Sequence, residues 1–241
     1  MTENDFVPAA YTHSIQEGFV TWKAPSNIAL IKYWGKTGIQ LPANPSISFT
    51  LNDCATTTTL KYRKMALPNE AFSFEIWFEG SLSNAFKPKI ATFFKRIETY
   101  LPFLKDYHFT IETSNSFPHS SGIASSASGM AALALCLMDL EKKLYPEMDS
   151  LFFNKKASFL ARLGSGSASR SIEGALVLWG AHQDILGSSN LYAIKYQDQV
   201  HKVFTAYNDT ILLVDEGEKQ VGSSIGHDLM QGHPYAERRF S

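Results

Sequence analysis

The chain has 241 residues, enough for one large domain or for one domain and part of a second, and 44% of them are apolar, which excludes a disordered chain. The net charge of −1, with no long basic run, leaves no electrostatic footprint for nucleic acid. Cys54 and Cys136 have neither metal-ligand spacing nor a disulfide framework, and a reducing cytoplasm suits them.

Residues 1–17 read as a loose leader without the basic-then-apolar pattern of a signal peptide. Phe19–Lys23 predicts a strand that Ala24-Pro25-Ser26-Asn27 breaks. An apolar run, Ile28 to Ile31, then leads into Lys32-Tyr33-Trp34-Gly35-Lys36. Two readings stand for its lysines: Lys32 and Lys36 meet an anion, or their long stems carry the ammonium groups to water. Gly38–Pro45 is turn-rich. Ile47, Phe49 and Leu51 alternate with polar residues, and Thr56–Thr59 is a β-branched run, so both predict strands, the second continuing through Lys61. Phe72, Phe74, Ile76 and Phe78 repeat the alternation, which Gly80 ends. Lys87–Leu101 predicts a helix with Ile90, Phe93, Phe94 and Ile97 on one face, and Tyr107, Phe109 and Ile111 mark another strand.

That strand runs into Phe117-Pro118-His119-Ser120-Ser121-Gly122-Ile123-Ala124-Ser125-Ser126-Ala127-Ser128-Gly129-Met130, followed by apolar residues at Leu133, Leu137 and Leu140. A Ser/Gly-rich turn feeding a helix directs unpaired N–H groups and a positive dipole end at one spot, an anion site suited to phosphate. The plainer alternative is a Ser-capped helix. One cap needs one serine, and five fall between Ser120 and Ser128. The apolar part, Met130 to Met138, is too short to cross a bilayer and is expected to stop at Asp139.

Asp149 can cap a helix ending near Arg162. Leu163-Gly164-Ser165-Gly166-Ser167-Ala168-Ser169-Arg170-Ser171 reads as a second Ser/Gly loop, in which Gly164 and Gly166 permit positive φ and Arg170 offers a planar fork for phosphate or carboxylate. Gly174–Trp179, Leu191–Tyr196 and Thr210–Val214 predict strands, and Gly222-Ser223-Ser224 opens a further Ser-headed helix. Strands and helices do not alternate strictly, so the layout is α+β.

Four stretches together carry a family resemblance. Ala24 to Lys36 resembles the N-terminal signature of mevalonate diphosphate decarboxylases, and Leu41 to Leu51 resembles the segment that follows it. Phe117 to Gly129 is similar to the ATP-phosphate loop of the GHMP kinase superfamily, and Ser165 to Ser171 to the decarboxylase-specific Ser-Gly-Ser-Ala-Cys-Arg-Ser loop. The resemblance implies a GHMP kinase-type two-domain fold. An N-terminal ATP-binding domain of the ribosomal S5 domain 2-like type would span residues 18–207, and residues 208–241 would begin an α+β C-terminal domain. It implies ATP-dependent decarboxylation of mevalonate 5-diphosphate to isopentenyl diphosphate, with ATP and Mg2+. Ser120, Ser121, Gly122, Ser125 and Ser126 would hold the ATP phosphates, with Ser126 also on Mg2+. Tyr33 and Lys36 would bind the substrate diphosphate and Arg170 its carboxylate. Ser165 and Ser167, joined by Ser223 or Ser224, would position the substrate, and Lys32 would stabilise charge at the reacting hydroxyl. The partners implied are small molecules, with no nucleic acid and no membrane, in a family that is usually dimeric.

Three departures stand out. Ser169 replaces a cysteine, and His119-Ser120-Ser121 replaces Thr-Ala-Ala. The family's later Asp-Ala-Gly-Pro-Asn stretch, whose aspartate is its catalytic base, is not found. The expectation is therefore a truncated form that lacks the base, and full activity from these residues would contradict it. A related kinase, a decarboxylase acting on a monophosphate, and a non-catalytic nucleotide-binding module are the competing readings.

Overall fold

The structure is a computed structural model that describes residues 1–118, 122–197, 200–206, 208–212, 229 and 232–235. Its frame is a mixed sheet around one long strand. β1 (Glu17–Ile31) pairs antiparallel along one edge of β4 (Ser46–Lys64). On the other edge of β4, β7 (Tyr107–Asn115) pairs with residues 56–64 and β8 (Leu176–Trp179) with residues 46–49. β5 (Ser73–Phe78) lies parallel to β7, with the short β6 (Ser81–Leu82) outside it, and β9 (Ala193–Lys195) closes the other end beside β8. A two-residue hairpin, β2 (Lys36–Thr37) with β3 (Leu41–Pro42), stands apart from this sheet.

The β1 strand does not break at Pro25. Its ladder runs through Ala24 and Pro25, and the register shifts between Pro25 and Asn27. A proline has no N–H to give a ladder, and a bulge is where that loss is tolerated. The two expected strands at 47–51 and 56–61 are likewise one, β4, because β1 spans both halves.

Three helices pack on the sheet. α1 (Lys87–Ile97) is shorter than expected, and it buries Ile90, Phe93, Phe94 and Ile97, the predicted face. α2 (Ser125–Leu144) is buried on nearly all sides between the sheet and α3, so Ala131, Ala134, Leu135 and Cys136 are as inaccessible as Leu133 and Leu137. An all-round apolar helix belongs at the centre of a core. It passes Asp139, whose carboxylate accepts the Trp22 indole N–H at 2.9 Å. Among the described residues, no helix is long and apolar enough to cross a membrane.

α3 (Ser150–Gly164) starts where expected: the Asp149 carboxylate accepts the Phe152 N–H at 2.9 Å. We expect Asp149→Ala to lower stability by about 1 kcal/mol in urea unfolding, and an unchanged midpoint would deny the cap its role.

The leader is not loose. Phe6 is fully buried, stacked 4.4 Å from the Phe159 ring, and Tyr11 reaches the Glu141 carboxylate. The N–H groups of Thr12 and His13 both donate to the Leu144 carbonyl, and the Tyr107 hydroxyl donates to that of Ile15. Residues 3–15 thus form a strap across the helical layer, held by apolar and hydrogen-bonded partners that local composition does not reveal. At the other end, residues 210–212 form no strand, and the rest of that expected strand lies outside the described residues.

Candidate functional site

Two Ser/Gly segments meet at the start of α2. Gly122 at φ +85° and Ala124 at φ +53° bring the chain into the helix through a left-handed turn. Space around Gly122 is open, so its backbone angle is what calls for glycine. The helix N-cap is Ala124, and no side chain caps it. Neither Ser125 nor Ser126 is therefore the cap. Ser125 and Ser126 occupy the first turn, where N–H groups have no intrahelical acceptor and the dipole favours an anion. Ser128 has a different role: buried, it joins Thr56 Oγ1 at 2.6 Å and ties α2 to β4. Ser26 Oγ donates to the Ile123 carbonyl and pins the turn to β1.

The second segment is not an open loop. Gly166–Ser171 is a 3-10 turn against α3 and α2, and most of it is buried. Neither Gly164 nor Gly166 has positive φ. They are needed for space. A Cβ on Gly166 would lie 2.9 Å from both the Trp179 ring and Tyr33 Oη, and one on Gly164 would lie 2.7 Å from Met130 Sδ. Gly166→Ala should therefore displace the Tyr33 and Trp179 rings and lower stability by about 1–3 kcal/mol. Denaturant unfolding measures this, and an unaltered stability would show that the rings yield freely.

Arg170 is 3% exposed. Its Nη1 donates to Ser46 Oγ at 2.6 Å, and Nε and Nη2 donate to Asn27 Oδ1 at 3.3 and 3.2 Å. Asn27 in turn donates to Ser171 Oγ at 2.7 Å and to the Ser167 carbonyl at 3.1 Å. The guanidinium carbon lies 5.5 Å from the Tyr33 ring centroid and 5.9 Å from that of Trp179. Burial lowers the arginine pKa to about 10, which still leaves the side chain charged at neutral pH. All these partners are neutral, and three bonds use three of the guanidinium's five N–H groups. A buried cation held this way, with donors to spare, is prepared for an anion. Tyr33, 6% exposed, packs edge-on against Trp179 at 4.8 Å. Burial raises its pKa, while the Arg170 charge and the Ser167 N–H partly offset that rise.

The two segments touch where Ser126 Oγ stands 3.4 Å from Ser165 Oγ. The structure thus brings Gly122, Ser125 and Ser126 together with Ser165, Ser167, Arg170 and Tyr33. An adjoining cleft runs between α1, the sheet and the start of α2, lined by Phe78, Phe86, Lys89, Asn115, Ser126 and Met130. Desolvation, and then the Lys36 charge, lower the pKa of Lys89 in this lining. The Lys32 side chain is exposed, with its ammonium 5.2 Å over the Trp34 ring. Ser120, Ser121, Ser223 and Ser224 lie outside the described residues. Sequence reasoning missed Asn27, Ser46, Trp179 and Lys89. Asn27 alone carried a signal, as a polar residue at the head of an apolar run.

The start of α2 and the segment that carries the buried Arg170 thus meet through a serine pair in an α+β domain. The sequence model described as "Diphosphomevalonate decarboxylase-like N-terminal domain" matches residues 24–192. The diphosphomevalonate decarboxylase of Ganoderma lucidum is 35% identical over 217 residues, covering 86% of this chain and 52% of the relative. That of Homo sapiens is 32% identical over 222 residues, covering 86% and 51%. Mevalonate diphosphate decarboxylase from Staphylococcus aureus superposes with a TM-score of 0.67 at 29% identity, covering 92% of this chain and 63% of that one. A solved complex described as MDDEF with MVAPP, AMPPCP and magnesium superposes at 0.65 and 29% identity, covering 92% and 64%. The chain belongs to the diphosphomevalonate decarboxylase family, and it spans about half the length of the curated relatives it matches. The mixed α+β fold expected from the resemblance is the one observed.

Proposed function

We propose that the protein acts in the ATP-dependent decarboxylation of mevalonate 5-diphosphate to isopentenyl diphosphate, with ADP, phosphate and CO2 as the other products, and that it works in the cytoplasm. The observation that carries this reading is the approach of Ser126 to Ser165, which sets one anion site beside another. Solved relatives described with MVAPP, and with an ATP analogue and magnesium, support it.

Residues Ser125 and Ser126 receive the ATP phosphates on the first N–H groups of α2, with Ser120, Ser121 and Gly122 completing that loop. The helix end fits this task because its N-cap, Ala124, offers the first-turn N–H groups no side-chain acceptor. The Ser126 hydroxyl would help to hold Mg2+ beside the ATP phosphates. Among the described residues, no cluster of three or more His, Cys, Asp or Glu forms a protein-only metal cage, and Mg2+ bound through phosphates needs none. ATP supplies the phosphoryl group that turns the 3-hydroxyl into a leaving group, and Mg2+ spreads the charge of that transfer. Arg170 binds and orients the substrate carboxylate, aligned by Asn27 and Ser46. Tyr33 and Lys36 hold the diphosphate end, and Ser165 and Ser167, with Ser223 or Ser224, set the substrate's position. Lys32 stabilises charge near the 3-hydroxyl, which requires its side chain to leave the exposed position over Trp34.

The test measures ADP and CO2 together from the intact protein supplied with both substrates and Mg2+. Equal amounts support the decarboxylase. ADP without CO2 would point to a kinase. Failure to bind either ligand or to form either product would refute the reading.

A further inference from the structure

Arg162 lies on α3, three residues before Ser165, and is fully buried. A guanidinium in that position is costly unless its donors are met. Its Nε donates to the Leu191 carbonyl at 2.8 Å and Nη1 to the Ile39 carbonyl at 2.7 Å, while Nη2 faces Glu3 Oε1 at 3.5 Å. The Phe159 ring lies 5.1 Å from the guanidinium carbon. Burial lowers its pKa to about 10 and Glu3 opposes the fall, so the side chain remains a cation at neutral pH. One side chain therefore joins α3, the approach to β9, the N-terminal strap and the tip of the β2–β3 hairpin.

The hairpin needs such a tie. Its ladder has two residue pairs, Lys36 with Pro42 and Thr37 with Leu41, too few to hold its own geometry. At its base the Ala43 N–H donates to the Gly35 carbonyl, and the Asn44 side chain bridges the Trp34 N–H and the Lys32 carbonyl. At its tip Gly38 and Gln40, at φ +52° and +57°, flank Ile39, whose side chain is 61% exposed while its carbonyl meets Arg162. Lys36 opens this hairpin, opposite Pro42 in its short ladder.

We propose that Arg162 is a positioning residue: by holding the Ile39 carbonyl it fixes the β2–β3 hairpin, so that Lys36 presents its ammonium to a diphosphate-bearing ligand. The ligand half of this statement rests on the function proposed above; the hairpin half does not. Glu3 serves as the counter-charge that lets the buried guanidinium stay ionised without drawing it away from the two carbonyls. Lysine cannot replace it, because one ammonium on a flexible stem lacks the fork that reaches Leu191, Ile39 and Glu3 together.

The experiment uses the full chain and two readouts. Hydrogen exchange of the amides in residues 36–42 is compared in the wild type and in Arg162→Lys without ligand. Affinity for mevalonate 5-diphosphate is measured by calorimetry in the wild type, Lys36→Ala, Arg162→Lys and the double variant. Arg162→Lys should speed hairpin exchange by about tenfold while α2 keeps its protection, and should weaken binding by about tenfold. The double variant should bind no more weakly than Lys36→Ala alone, since both changes remove one contribution. Unchanged hairpin exchange, or losses that multiply in the double variant, would overturn the proposal. If the wild type binds no mevalonate 5-diphosphate, the proposed function falls, and hairpin exchange alone decides the role of Arg162. Should Arg162→Lys fail to fold, Glu3→Gln, at the half-exposed end of the same network, carries the same readouts.

Discussion

Arg170→Ala should lower decarboxylation about a thousandfold, the upper range for removing one preorganised donor to a developing or bound charge. The guanidinium is the only part of this cluster that brings a full positive charge to the interior, and its neutral partners Asn27, Ser46, Tyr33 and Trp179 cannot substitute for it. Arg170→Lys should recover little. An ammonium keeps the charge, yet it cannot bond Asn27 and Ser46 while leaving two parallel donors for a carboxylate. The measurement is steady-state turnover of the full-length protein with ATP and mevalonate 5-diphosphate in saturating amounts, with near-UV circular dichroism as the control on folding. If Arg170→Ala kept more than about a tenth of wild-type turnover, far above the loss expected for such a donor, its place in the reaction would have to be given up.

Lys156→Met should have the largest effect on stability, about 3–5 kcal/mol lost. Lys156 and Glu141 are each 1% exposed, and Nζ lies 2.6 Å from Oε1, which also accepts the Tyr11 hydroxyl at 3.1 Å. Burial raises the Glu141 pKa, and the Lys156 charge and hydrogen bond oppose that rise. Removing the lysine leaves a buried acid that must take up a proton or remain an unpaired charge, and Glu141 Oε2 already has no partner among the described residues. The double variant Lys156→Met with Glu141→Leu should regain most of the loss, because two matched apolar groups need no compensation. Urea unfolding of the single and double variants checks both statements. A single variant as stable as the wild type, or a double variant no better than the single, would contradict them.

How much of this could be read from the sequence depended on how local each cause is. The α1 face, the Asp149 cap and the alternation along Tyr107, Phe109 and Ile111 are set within a few residues, and all three stand as expected. Pro25 misled because a proline argues against a strand until a bulge beside it is known, and the bulge is a property of its pairing with β4. The two glycines of the second Ser/Gly segment were legible as required residues and misread in their reason: the demand comes from Trp179, Tyr33 and Met130, not from the backbone angle. The serines and Arg170 of the site were visible because their residue types suit anions. Asn27 and Ser46 were not, since each is an ordinary polar residue in a strand until Arg170, from 143 and 124 positions away, settles on it. The strap escaped for the same cause, as Glu3 and Tyr11 find their partners 159 and 130 positions along the chain.

That separation has a consequence for how the molecule is made. Residues 3–15 are made well before α3, yet Phe6 has nothing to stack on until Phe159 has been added and folded into that helix. Closing so long a span carries an entropic penalty that only finished helices can offset. This strap is therefore made before α3 and seated only after it, and until then Phe6 lacks the ring that covers it.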